Sequence, residues 1–182
     1  VIAALYIDPR GPYAHMAGVD AWDVARDAKR YDGPHAVVAH PPCGPWSRLR
    51  FMCTKQDPSC APRAVEQVRA FGGVLEHPAH STLFRHCRMP FPGELPDAHS
   101  GRTWLINQVS WGHCCVKPTW IYTVRVPPDL VMHGMRYGGT ATHRVTSGPR
   151  GSRLPSAGGK RVRLTPLALA EWFVSLARCA HA

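Results

Sequence analysis

Residues 36–43 read AVVAHPPC, from Ala36 to Cys43, and the fold turns on how this stretch is read. Four small or β-branched apolar residues in a row fit a strand buried on both faces. His40-Pro41-Pro42 ends it, because proline brings no N–H to a strand ladder. Upstream, Ala3 to Ile7 forms a second apolar run that stops at Asp8-Pro9-Arg10-Gly11, a strand followed by a turn. Between the two, Val24–Tyr31 has helical character, with Asp23 as N-cap and Gly33-Pro34 as the stop. Downstream, Ala61–Phe71 is predicted to be a helix, with Pro62 in its first turn and Ala64, Val65, Val68 and Phe71 on one face. Gly72-Gly73 ends that helix, and Val74-Leu75 begins another strand, stopped by Pro78. The order strand, helix, strand, helix, strand predicts an α/β fold: a compact, Rossmann-like, mostly parallel sheet flanked by helices. Such sheets bind ligands at the carboxyl ends of their strands. Those ends carry Asp8, His40 to Cys43, and Glu76-His77-Pro78.

The 182 residues predict a single domain over 1–182. Residues 86–102 are proline-rich and read as irregular. Thr119–Val126 alternates β-branched and aromatic residues and reads as a strand. Residues 134–160, rich in Gly, Ser and Arg, read as a flexible basic loop. A C-terminal helix is expected over 164–179, capped by Thr165 with Pro166 at its first position and Leu169, Trp172, Phe173 and Leu176 as its buried stripe. Hydrophobic residues at 45% and charged residues at 19% exclude a disordered chain. No apolar run approaches the roughly 18–20 residues that cross a bilayer. Val1 to Leu5 leads straight into Asp8 and Arg10, which suits an opening strand better than a signal peptide.

Seven cysteines, an odd number, do not make a disulfide framework, so a cytoplasmic location is expected (host cytoplasm if the chain is phage-encoded). Cys53 and Cys60 are seven apart. His77, His80, His86 and Cys87 cluster, as do His113, Cys114 and Cys115. None of these sets has the close Cys-x-x-Cys spacing of a zinc site, so no metal centre is expected. Charge is more telling. Residues 136–182 hold eight bases against the single acid Glu171, whereas residues 1–35 hold five acids and four bases. A basic tail on a near-neutral body points to a polyanion partner, DNA first, and not to a membrane.

The chemistry-bearing loop follows the opening strand of this reading. Pro42-Cys43-Gly44-Pro45-Trp46-Ser47 resembles the Pro-Cys-Gln-x-Phe-Ser loop of DNA cytosine-5 methyltransferases, and Pro41 completes a Pro-Pro-Cys. Glu76-His77-Pro78 resembles that family's Glu-Asn-Val element, and Arg163-Leu164-Thr165 is similar to its late Arg-x-x-Thr motif. The order is the family's order. The 33 residues between Cys43 and Glu76 leave room for one helical crossover. Most of the chain also resembles phage and prophage proteins, through Gly18 to Asp23, His40 to Cys43, Leu75 to Pro78, and Gly112-His113 through Lys117, Thr119 and Trp120.

The resemblance implies a DNA-modifying enzyme acting on a pyrimidine base. Cys43 would be the nucleophile that adds to C6, and Glu76 the carboxyl group at N3. Pro42, Trp46, Ser47, Arg48, His77, Lys117 and Arg163 would contact the substrate. Arg48, Arg50 or a histidine would lower the thiol pKa. The family's S-adenosylmethionine loop, Phe-x-Gly-x-Gly, corresponds here to Asp8-Pro9-Arg10-Gly11-Pro12-Tyr13, which keeps one glycine. Asp8, Gly11, Asp20 and Asp23 would form the cofactor site. The eroded loop keeps an alternative open: a non-catalytic DNA-binding phage accessory or anti-restriction protein with a degenerate methyltransferase fold. A third reading is an enzyme acting on a free nucleotide.

Overall fold

The computed structural model describes residues 1–47, 50–53, 55–145 and 153–180, apart from the side chains of Met52 and Lys160. Its six-stranded sheet runs in the order β2-β1-β3-β4-β6-β5. The strands are β1 (Ile2–Leu5), β2 (Val19–Trp22), β3 (Val37–Ala39), β4 (Gly73–Pro78), β5 (Arg102–Asn107) and β6 (Pro118–Val124). The four strands β2, β1, β3 and β4 are mutually parallel. β6 lies between β4 and β5 and is antiparallel to both. The α/β class and the mostly parallel sheet follow the sequence expectation, with β6 as the reversed strand.

Period-two alternation sorts the sheet into two faces. Ile2, Ala4, Val38, Val74 and Ile121 pack with Leu169 and Phe173 of α5 (Leu167–Cys179). Ala3, Leu5, Val37, Ala39, Leu75 and Tyr122 pack with Ala61, Ala64, Val65 and Val68 of α1 (Cys60–Phe71). Each fully buried Leu or Phe in these layers contributes on the order of 2 kcal/mol. The connection from β1 to β2 carries Tyr13 into the α5 layer, while α1 crosses from β3 to β4 in the other layer. The chain therefore leaves β1 and β3 toward opposite edges and opposite faces, and sheets wound this way bind ligands at the carboxyl ends of such a strand pair. At the start of β4, Gly73 has φ +118, and a Cβ there would run into the Val37 backbone. Only glycine lets β4 close on β3 at this point.

Several expectations are corrected. Val24–Tyr31 is not a helix. Asp23 does accept hydrogen bonds from the Ala25 and Arg26 amides, at 2.9 and 3.1 Å, but Asp27 takes φ +52 and only a 3-10 turn over Ala28–Arg30 follows. A left-handed residue cannot be continued through by a right-handed helix. Pro166, not Thr165, occupies the N-cap of α5, and Trp172 is only partly buried. The irregular 86–102 stretch is bounded by α2 (Leu83–His86) and by β5. Strands β2 and β5, the two edges of the sheet, were not expected, nor was α3 (Pro128–Gly134). Within 134–160, Arg144 and Ser156 form an isolated bridge, and α4 (Gly158–Arg163) begins at its end. Residues 146–152 of that stretch lie outside the described residues. Among the described residues, no helix is long and apolar enough to cross a membrane.

Candidate active site at the carboxyl ends of β3 and β4

The backbone N–H of His40 donates to Leu5 O at 3.0 Å, extending the β1–β3 pairing by one bond. Pro41 and Pro42 then carry the chain away from the sheet, and Cys43 caps a 3-10 turn over Gly44–Trp46. This turn is braced from outside. The Gly44 amide donates to Gln56 Oε1 at 2.9 Å, and a Cβ at Gly44 would collide with Cys53 Sγ and the Gln56 side chain. The Trp46 indole donates to Pro58 O at 3.2 Å and its ring lies 4.8 Å from that of His86. The Thr82 amide donates to Trp46 O at 3.0 Å. Cys43 itself reaches solvent. The thiol is thus presented by a loop pinned on both sides.

Glu76 lies on β4, opposite Ile121 of β6 in register and nearly buried. His40 Nδ1 lies 3.1 Å from Oε2, and Gln108 Nε2 donates to Oε1 at 2.7 Å and to Thr119 Oγ1 at 3.0 Å. Lys117 Nζ stands 3.9 Å from Oε1. Burial pushes the Glu76 pKa up, but the Lys117 ammonium and the His40 hydrogen bond outweigh it and hold the pKa at about 2. On the far side of His40, Nε2 is 2.7 Å from the Tyr13 hydroxyl. Burial, with the Glu76 charge, keeps the Tyr13 phenol protonated far above its ordinary range. The arrangement that satisfies Tyr13, His40 and the carboxylate together is a chain: Tyr13 O–H donates to His40 Nε2, and His40 Nδ1–H donates to the carboxylate.

Cys43 and Glu76 come to the same end of the sheet, close enough for the carboxylate to act on the thiol. Burial raises the Cys43 pKa, Glu76 raises it further, and Lys117 and Arg163 pull it down without prevailing. One ionised carboxylate and two cations therefore act on the same thiol at this end of the sheet. A nucleophile beside a hydrogen-bond acceptor suits addition to an electron-poor ring that carries N–H groups.

The other sequence candidates are placed as follows. Lys117 stands beside Glu76, and Arg163, exposed at the end of α4, reaches Cys43 electrostatically. Pro42 is half-buried in the Cys43 loop. Trp46 is held as packing, and Ser47 Oγ donates to Gly44 O at 3.0 Å within its own turn. His77 is wholly buried, has no hydrogen-bond partner at either ring nitrogen, and projects to the sheet face opposite Glu76. Burial lowers its pKa to about 4. It is not part of this group. Arg48 lies outside the described residues.

The residues assigned to the cofactor form a separate set. Asp8 accepts from the Arg10 amide and guanidinium at 2.9–3.0 Å, which holds its pKa at about 2. Gly11 closes the same loop by donating to Asp8 O at 2.8 Å. Asp20 accepts from Trp22 Nε1 at 2.7 Å and from Arg26, while Asp23 holds the Ala25 and Arg26 amides. All three carboxylates are engaged by their own loops.

Sequence reasoning missed Tyr13, Gln108 and Thr119, and treated His40 only as a strand end. His40 was visible through its place before Pro-Pro. Gln108 had no signal, since it stands in a short 3-10 turn (Gln108–Trp111) after an unexpected strand. Compared with protein-family models, curated proteins and solved structures, the chain matches none.

Proposed function

We propose that the chain is a DNA-modifying enzyme acting on a pyrimidine base, similar to cytosine-5 methyltransferases in using Cys43 as nucleophile and Glu76 as its acidic partner. The observation that carries this reading is that Cys43 and Glu76, on separate elements, lie within electrostatic reach at one end of the sheet. With β6 left out, the strand order 2-1-3-4-5 is that of a doubly wound sheet, which supports a Rossmann-like fold with its site at this end.

In this reading the base leaves the duplex to enter the site. Cytosine N–H groups take up the Glu76 carboxylate, which weakens its repulsion of the Cys43 thiolate while Lys117 and Arg163 still favour it. The Cys43 thiol loses its proton to solvent, the thiolate adds to C6, and a C–S bond forms as the C5–C6 double bond opens. N3 takes a proton, for which the Lys117 ammonium is the donor beside Glu76. C5 is then enamine-like and reacts with an electrophile or a proton; loss of the original C5 hydrogen to solvent and of the thiolate, with the N3 proton returned to Lys117, restores the ring. Tyr13 and His40 fix the carboxylate throughout. The exposed bases of the C-terminal part, among them Arg136, Arg153, Arg161 and Arg163, would hold the DNA backbone.

S-adenosylmethionine is the methyl donor implied by the resemblance. The fit is poor, because Asp8, Asp20 and Asp23 are already engaged by Arg10, Trp22 and Arg26 and by nearby amides. No step is routed through that cofactor. The same observation, with a thiol biased toward its protonated form, favours the second reading, a non-catalytic DNA-binding relative.

The deciding experiment is covalent trapping on DNA carrying a 5-fluoropyrimidine, read by intact mass. The first reading expects an adduct with the unaltered protein and none with Cys43→Ala. The second expects salt-sensitive DNA binding, unchanged by Cys43→Ala, with no adduct at all.

A further inference from the structure

The turn between β5 and β6 ends at Gly112, whose φ is +92, and the next three residues are His113, Cys114 and Cys115. Their ligand atoms all lie within 4.8 Å of one another. The Cys114 and Cys115 sulfurs are 3.7 Å apart. Two thiolates on one tetrahedral zinc, with Zn–S bonds of about 2.3 Å, stand about 3.8 Å apart. The sulfur spacing therefore already matches the edge of a zinc tetrahedron.

The histidine is fixed in place by the backbone on both sides. Its ring is nearly buried, and both nitrogens face backbone carbonyls: Nδ1 that of Cys115 at 3.0 Å, Nε2 that of Val162 at 3.3 Å. The Cys115 amide also lies 3.0 Å from Nδ1. Donation from Nε2–H to Val162 O fixes the ring, and zinc would take the Nδ1 lone pair that the Cys115 amide now uses. The loop is tied from outside as well, since the Thr142 and His143 amides donate to Cys114 O at 3.0 and 2.9 Å. His113 and Cys114 line a pocket of about 340 Å³ together with Gly112, Arg161 and Thr165. An exogenous ligand can reach the cluster from that side.

We infer that His113, Cys114 and Cys115 bind a zinc ion, with the fourth position open to water or a small anionic ligand from the pocket. Two thiolates and one neutral imidazole cancel the charge of the ion, and soft sulfur ligands select zinc over magnesium or calcium. Binding displaces one proton from each thiol, and no oxidation is involved. The site is independent of the Cys43 reading and shares no ligand with it. Spacing in the sequence hid it, because three consecutive ligands do not make the usual Cys-x-x-Cys pattern.

The test uses the full chain, reduced and stripped of metal, then given zinc or cobalt(II). One zinc per chain should survive dialysis, and cobalt should give thiolate charge-transfer bands with tetrahedral visible absorption. Cys114→Ser, at a half-exposed position, should lose those bands while keeping the native circular dichroism spectrum, and Cys179→Ser should keep them. Loss of an outer partner of a metal ligand alone costs about 10–100-fold in affinity, so Cys114→Ser should weaken zinc by at least that much. The inference is overturned if the reduced protein retains no zinc. It is equally overturned if Cys114→Ser and the Cys114→Ser/Cys115→Ser pair bind zinc as tightly as the unaltered chain, or if the vicinal cysteines form a disulfide whose reduction restores no metal uptake.

Discussion

Glu76 on β4, and Asp8, Asp20 and Asp23 on or after β1 and β2, are built in opposite ways. Glu76 is nearly buried, and its partners His40, Gln108 and Lys117 come from three other segments of chain. Asp8, Asp20 and Asp23 are paired with residues no more than six positions away. A carboxylate satisfied by its own loop needs no fold to hold it and offers little to a ligand. A carboxylate ionised against burial by distant groups exists only once the sheet has formed, and perturbation of that kind gathers at functional sites. The contrast favours β3 and β4 over β1 and β2 as the place of the proposed site.

The comparison breaks most sharply on stability. Glu76→Leu leaves Lys117 and His40 without their acceptor in a buried setting, so it should cost about 3–5 kcal/mol in urea unfolding. Asp8→Asn removes an exposed pair and should cost no more than about 1 kcal/mol. If the two changes cost the same, the distinction between the regions fails.

Acid titration of stability sharpens it. His77 has a folded pKa near 4, below its ordinary value of 6.5, so the unfolded chain binds the proton first. Stability should therefore fall as pH drops from about 6.5 toward 4. Glu76, at about 2 against an ordinary 4.5, adds stability that is fully present above 4.5 and is lost as pH falls toward 2. The Glu76 window spans about 3 kcal/mol by linkage. His77→Leu should remove the upper window, and Glu76→Gln the lower one, while also deepening the upper window, because the Glu76 charge favours protonated His77. Equilibrium unfolding across pH 2–7 reads both.

The smallest effect is expected at His77 itself near neutral pH. Neither ring nitrogen has a partner, so His77→Leu replaces an unsatisfied polar group with an apolar one of similar size. Its effect at pH 7 should lie within about 1 kcal/mol of zero, with stabilisation the favoured sign. A loss of several kcal/mol would show that the imidazole does work the structure does not reveal.

The parts of this architecture legible in the sequence are those with one-dimensional signals. AVVA followed by two prolines marks β3, and the apolar faces of Ala61–Phe71 and of the last helix mark the two layers. β2 and β5 escaped because edge strands are short and half polar: Val19-Asp20-Ala21-Trp22 and Arg102–Asn107 look like loop. Cys43 and Glu76 were legible through their flanking residues. Tyr13, Gln108 and Thr119 were not, since nothing along the chain joins a tyrosine in one turn to a glutamine 95 positions later; the register of β4, β5 and β6 brings Gln108 and Thr119 to Glu76, and Tyr13 joins them only through His40. His77 was misplaced for the related reason that neighbours on a strand point to opposite faces.

In the proposed reaction the Cys43 sulfur adds to C6 of a pyrimidine held by Glu76. Exchange of the C5 hydrogen of cytosine with solvent, in DNA labelled at that position, reports this addition whatever group is later transferred. The unaltered protein should release the label, Cys43→Ala should release none above background, and Glu76→Gln should be slower by about 100-fold or more. Exchange that persists undiminished in Cys43→Ala, or its complete absence with the unaltered protein on every cytosine-containing DNA, would contradict it.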